Sequence, residues 1–98
     1  MTQVFRALSD PTRRRVLQLL RGGPMSAGEL SASFNVSKPT MSAHFAVLKE
    51  ADLVHAEKVG KSVIYYLKLS VLEDALLGFV QSFVPVTKPA SQKREVAR

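Results

Sequence analysis

A chain of 98 residues, 46% of them apolar, holds one domain around one modest core and excludes a second domain. Its formal net charge of +6 favours an anionic partner, either nucleic acid or a membrane surface. The absence of cysteine excludes a disulfide framework, a thiolate metal site and a thiol nucleophile, so packing alone must hold the fold.

The N-terminus has no basic segment followed by an apolar run, and no stretch approaches the roughly 18 to 20 apolar residues of a membrane span; the chain reads as soluble and cytoplasmic. Thr2 to Leu8 carries Val4, Phe5 and Leu8 at helical spacing, a short amphipathic helix that needs something to lie against. Asp10 followed by Pro11 pairs an N-cap with a first-turn proline. It opens a helix through Thr12 to about Leu20, ended by Gly22, Gly23 and Pro24. Val16, Leu17, Leu19 and Leu20 supply its apolar side. Arg13, Arg14 and Arg15 point three ways around a helix, so they are not one basic patch; phosphate contact, solvated surface and salt bridges all stay open for them.

Ser26 with Glu29 three residues on reads as a capping box, opening a helix from about Ala27 to Phe34. Asn35 tolerates the left-handed conformation that would stop it. Ser37 caps the next helix, and Pro39 sits in its first turn, where a missing N–H is harmless. On this second helix Met41, Phe45 and Leu48 share the core side, with His44 and Ala51 on its flank. Lys38, Pro39, Ser42, Ala43 and Ala46 fall towards the other side, with Thr40 at an edge. That face is small, hydroxylated and basic, and able to lie close to base edges. Helix, turn and helix form the skeleton of one class of DNA-recognition domain; an ordinary solvated helix is the alternative.

Leu53 to Val59 and Ser62 to Leu69 are short β-prone runs around Gly60 and Lys61, which predicts a hairpin. In the second run Val63, Tyr65, Leu67 and Leu69 share the expected core face, and Ile64, Tyr66 and Lys68 the other. Lys58 and Lys61 sit at or beside the tip, where a basic loop can reach the DNA backbone or minor groove. In isolation a solubilising turn reads as well. Ser70 and Glu73 form another candidate capping box, opening a helix from Val71 to about Val84.

The apolar residues of that last helix cover more of its circumference than one core stripe requires. The excess predicts a two-fold homodimer interface between the first and last helices, built from Val4, Phe5, Leu8, Leu72, Leu76, Phe79, Val80 and Phe83. From Pro85 the composition changes: Lys88, Lys93, Arg94 and Arg98 stand against Glu95, half of the net charge. Residues 1–84 therefore read as the folded domain and 85–98 as a disordered basic tail, which either adds non-specific DNA affinity or only solubilises.

These residues resemble the ArsR/SmtB family of bacterial winged-helix repressors over roughly Val4 to Phe83. The motifs that carry the resemblance are FRALSDPTRRRVLQLL, MSAGELSASFNVSKPTMSAHFAVLKEADLV and KVGKSVIYYLKL, in that order and spacing. SDPTRRR and SKPTMSAHF are nearest to the metal-independent autorepressors of the family. The resemblance implies a mainly α winged helix-turn-helix with a small β-hairpin, in the order of four helices, two strands and a fifth helix, dimerising through the first and last helices. It implies DNA contacts at Ser37, Lys38, Thr40, Ser42 and Ala43 and at the wing tip, Gly60 and Lys61; the helix face adds Pro39 and the hairpin adds Lys58. Ala43 departs from the Arg or His frequent there, so a long-reach base contact is missing.

The family's thiolate pair falls around Ser26 and Gly28, neither a metal ligand of that type. The last helix offers Glu73 and Asp74 but no histidine, and His44 and His55 are the only imidazoles. No metal and no cofactor is expected, and thiol sensing is excluded. No nucleophile has an identifiable base and no carboxylates cluster, so an enzyme is not expected. The expected partners are double-stranded DNA and a second copy of the chain, with a sequestering membrane protein as an addition from the resemblance. The alternative is a protein-interaction module of the same fold whose DNA binding is weak.

Overall fold

In the computed structural model, which describes residues 2–85, eight elements follow one another. They are α1 (Thr2–Leu8), α2 (Pro11–Leu20), β1 (Met25–Ser26), α3 (Ala27–Ala32), α4 (Lys38–Glu50), β2 (Val54–Val59), β3 (Ser62–Leu67) and α5 (Leu69–Gln81). The expectation for a tail from Pro85 lies, beyond that residue, outside the described chain.

Local chemistry starts most of these elements. The Asp10 carboxylate accepts from the Thr12 and Arg13 backbone N–H groups at 2.8 and 3.1 Å, and Pro11 follows as the first helical residue of α2. At α3 the Ser26 hydroxyl accepts from the Glu29 N–H at 3.0 Å while the Glu29 carboxylate accepts from the Ser26 N–H at 2.9 Å, the reciprocal box read from the sequence. At the end of α4, Asp52 takes a left-handed φ of 61°. The Leu53 N–H then reaches the Leu48 carbonyl at 3.0 Å and the Asp52 N–H the Lys49 carbonyl at 2.9 Å, a Schellman ending with aspartate where glycine is usual. Leu48 and Leu53, which this ending brings together, are both fully buried.

The core gathers Val16, Leu17 and Leu20 of α2, Leu30 of α3, Met41, Phe45 and Leu48 of α4, and Tyr65 of β3. Phe45 and Tyr65 stack with centroids 4.7 Å apart, joining the helical layer to the sheet. Val63 and Leu67 pack against this cluster on the predicted inner face of β3.

Several expectations are corrected. The sheet has three strands, not two: Met25 pairs with Tyr65 and Ser26 with Ile64, giving the antiparallel order β1-β3-β2. Helix α3 stops at Ala32, its last turn tightened by bonds from the Ser33 and Phe34 N–H groups, and Asn35 is not left-handed. The last helix starts at Leu69 rather than Val71 and ends at Gln81 rather than Val84. Ser70 and Glu73 make no capping box, because the Lys68 N–H is tied to the Leu53 carbonyl at 2.9 Å and the chain turns directly from strand into helix. Leu69, expected on the inner sheet face, is consequently a half-exposed residue of α5.

Candidate nucleic-acid interface

Helices α3 and α4 form the helix-turn-helix. Three apolar residues of α4, Met41, Phe45 and Leu48, point into the core, and Lys38, Pro39, Thr40, Ser42 and Ala43 are exposed. Ser37 caps the helix: its hydroxyl accepts from the Thr40 N–H at 3.3 Å and donates to Thr40 Oγ1 at 2.9 Å. The second bond fixes the Thr40 side chain and leaves its own O–H proton free to be donated outward. Lys38 is a three-donor cation at the first helical position, where the helix dipole also favours phosphate.

The wing is the β2–β3 hairpin, in register from Val54 opposite Leu67 to Val59 opposite Ser62. Gly60, at φ 62°, supplies the positive φ that the first position of this two-residue turn needs. Lys58, Gly60 and Lys61 are exposed around the tip. Farther back, the Tyr66 hydroxyl donates to Glu57 at 3.1 Å across the strands, and that carboxylate raises the phenol above its ordinary value. All nine residues predicted to meet DNA are thus exposed, six on or next to α4 and three on the wing.

Behind the recognition helix lies a polar junction that sequence reading did not find. Arg13 donates from Nε to the Ala7 carbonyl at 2.8 Å and from Nη2 to the Arg6 carbonyl at 2.9 Å, while its Nη1 lies 3.1 Å from His44 Nδ1. Arg14 donates to the Leu8 carbonyl at 2.7 Å. Two arginines of α2 therefore bond the last three carbonyls of α1, of which that of Arg6 also accepts from the Ser9 N–H and hydroxyl. Burial would raise the Asp10 carboxyl, but the backbone donors at Arg13 and Thr12 and the neighbouring Arg13 charge hold it below 3.8. The exposed Arg6–Glu50 pair, at 3.5 Å, adds a weak second link from α1 to α4.

No residue of α5 is buried, and Leu76, Leu77, Phe79 and Val80 of this helix and Phe83 and Val84 just after it are exposed. Phe79 packs on Phe5 at 4.6 Å and Phe83 on Phe79 at 5.1 Å. Of the predicted dimer contacts, Phe5, Leu8 and Leu72 are partly buried and Leu76, Phe79, Val80 and Phe83 are open. Val4 is the exception: at 5% exposure it belongs to the chain's own core and has almost no surface to offer a partner. Among the described residues no three His, Asp or Glu side chains stand together as a metal-binding group, and no helix is long and apolar enough to cross a membrane.

A helix-turn-helix domain model matches residues 8–57. Over 76 residues the chain is 45% identical to the transcriptional repressor SdpR of Bacillus subtilis, covering 78% of this chain and 84% of that one. A crystal structure of a suggested regulator of arsenical resistance superposes with a TM-score of 0.74 at 33% identity, covering 87% of this chain and 88% of the other. A homodimeric winged helix-turn-helix DNA-binding domain from Mycobacterium bovis, solved by NMR, superposes with a TM-score of 0.67 at 25% identity, covering 83% and 77%.

Proposed function

The chain belongs to the ArsR/SmtB family of winged helix-turn-helix transcription regulators, and from that membership we propose that it is a cytoplasmic, homodimeric repressor of its own operon. The observation that carries the reading is the division of α4: three apolar side chains face inward, and a short, hydroxylated, basic face is left open beside a basic wing. Two such helices related by a two-fold axis enter successive major grooves of a pseudo-palindromic operator, about 34 to 36 Å apart. Ser37, Thr40 and Ser42 supply hydrogen bonds to bases or phosphates, Pro39 and Ala43 allow close approach, and Lys38, Lys58 and Lys61 neutralise phosphates around Gly60. Occupancy of the operator excludes polymerase.

The inducing signal in this reading is neither a metal nor a thiol oxidant. A cysteine-free chain with two histidines supports it, one of them, His44, engaged with Arg13. Relief then comes from a partner protein, and a membrane-bound one that sequesters the repressor is in keeping with the family resemblance. The apolar surface of α5 also favours a second reading, in which this helix recruits another protein and DNA contact is weak.

Fluorescence anisotropy on the DNA upstream of the gene against random DNA, across a salt series, separates the two. A preference of about a thousandfold or more is the expected result for a specific repressor; equal, steeply salt-dependent binding to both would remove autorepression. Light scattering on the same protein tests the dimer, and a monomer at micromolar concentration would overturn the role given to α5.

A further inference from the structure

The ring nitrogen of His44 that Arg13 Nη1 meets at 3.1 Å is Nδ1. A guanidinium cannot accept, so in this contact Nδ1 is unprotonated and Nε2 carries the hydrogen. Nδ1 is therefore also the one nitrogen of the ring that can take up a proton. Uptake and the Arg13 contact exclude each other, because both atoms would then be donors and both groups cations.

A second partner lies beside the same atom: Asp10 Oδ2 is 3.9 Å from Nδ1. Imidazole is the side chain that changes charge near neutral pH, and the Asp10 carboxyl, held below 3.8, is ionised throughout that range. The His44 and Asp10 side chains are 15% and 32% exposed, so water can deliver the proton while screening of the pair stays incomplete. The other charged groups on the elements around α4 are committed elsewhere. Arg6 of α1 pairs with Glu50, Arg14 and Arg15 of α2 donate to the Leu8 carbonyl and to Gln18, Glu29 of α3 closes the Ser26 cap, and Glu57 of β2 accepts from Tyr66. Tyr65 of β3 stacks on Phe45. Among the described residues, His55 and Lys58 of β2 and Lys38 and Lys49 of α4 itself make no hydrogen bond or ion pair with the ring.

We infer that Asp10, Arg13 and His44 form a proton-operated latch, in which a protonated His44 releases Arg13 and turns to Asp10. Arg13 stays on the Ala7 and Arg6 carbonyls, so the polar tie left between α1 and α4 is the exposed Arg6–Glu50 pair. The consequence for DNA rests on the repressor reading: α1 belongs to the proposed dimer contacts and α4 to the proposed DNA contacts, so acid loosens the alignment of one on the other and lowers operator affinity. The new charge itself has little direct pull on DNA. His44 faces α2, across α4 from Lys38 and Ser42, and a helix about 10 Å wide exceeds the roughly 8 Å screening length at physiological salt.

The test follows the histidine rings of the full-length protein by long-range proton–nitrogen NMR from about pH 8 to about pH 5. The expected result is an Nε2–H tautomer for His44 at the alkaline end and a hydrogen gained at Nδ1 on acidification, with the Arg13 guanidinium and Asp10 carboxyl signals moving at the same midpoint. Asp10→Asn should lower that midpoint. An Nδ1–H tautomer at the alkaline end, or a His44 titration that leaves Arg13 and Asp10 unmoved, would overturn the latch, and both readings come from the unaltered chain. Upstream DNA should bind about fivefold more weakly at the acid end, the low end of couplings between distinct sites. His44→Asn, whose Oδ1 can accept from Arg13 but takes up no proton, should lose this difference. The same pH dependence in the parent and in His44→Asn would overturn the effect on DNA. Absence of DNA binding at every pH would count against the repressor reading and leave the latch to the ring spectra.

Discussion

Arg13 Nη1 and His44 Nδ1 meet at 3.1 Å across 31 residues of sequence, joining the first turn of α2 to the middle of the recognition helix. A guanidinium only donates, so Nδ1 is the acceptor and the imidazole proton sits on Nε2; the tautomer is assigned by the geometry of its partner. The same guanidinium holds the Ala7 and Arg6 carbonyls. One side chain thus fixes the end of α1 and the flank of α4 together.

Replacing Arg13 by methionine keeps much of the stem and removes these three contacts. Charge-assisted bonds contribute about 1.5 to 3 kcal/mol each when partly buried, and they are not additive. A net loss of about 2 to 3 kcal/mol is expected in urea unfolding. Hydrogen exchange in α1 should rise more than in α3. Equal acceleration in both helices would make Arg13 a general stabiliser rather than the clasp on α1.

The Asp10 carboxyl gives stability a defined acid limb. Its folded value is depressed below 3.8, so its contribution is complete above 3.8 and is lost as pH falls through the lower folded value. Asp10→Asn keeps a capping side chain and should flatten the urea midpoint between pH 5 and about pH 2. Asp10→Ala should in addition cost about 1 kcal/mol at neutral pH. Identical acid limbs in the parent and Asp10→Asn proteins would assign the loss to other carboxylates.

At the end of α4, Asp52 combines a left-handed φ of 61° with a 2.7 Å ion pair to Lys68. The left-handed conformation costs a non-glycine residue about 1 to 2 kcal/mol, and an exposed pair returns about 0 to 1. Asp52→Gly should therefore leave the melting temperature equal or raise it by a few degrees, and Asp52→Val should lower it. A lower melting temperature for the glycine variant would show the Lys68 pair to be the larger effect.

In the DNA complex, Lys61→Ala should weaken operator and random DNA alike and reduce the slope of log K against log salt by about 0.9, the share of one phosphate. Thr40→Ala should change the preference among operator variants instead. Competition anisotropy reads both. An unaltered slope removes Lys61 from the backbone contacts, and an equal loss on all sequences removes Thr40 from base reading.

What the sequence made legible is local. The caps at Asp10, Ser26 and Ser37, the glycine at the wing tip and the inward spacing of Met41, Phe45 and Leu48 each depend on residues within a few positions of one another, and each stands in the structure as read. The misreadings share the opposite property. Met25 and Ser26 become a strand only because Tyr65 and Ile64 lie alongside. The start of α5 is set by the Leu53 carbonyl, which overrides a plausible Ser70–Glu73 box. Val4, Phe5 and Leu8 are all apolar on a seven-residue helix, and only packing decides that Val4 turns to the chain's own core. The Arg13–His44 contact had no local signal at all. The exposed, hydroxylated face of α4 was visible because it lies on one helix.

Helix α5 owns no buried side chain and begins without a side-chain cap. In the dimer proposed here, its apolar face is completed by the second copy, so the order of the last helix becomes a function of how much protein is present. Operator-competent repressor then rises with the square of monomer concentration when the protein is scarce. On the repressor reading proposed above, operator occupancy then depends more steeply on protein level than it would for a monomer, and the bare helix acts as a gauge of abundance.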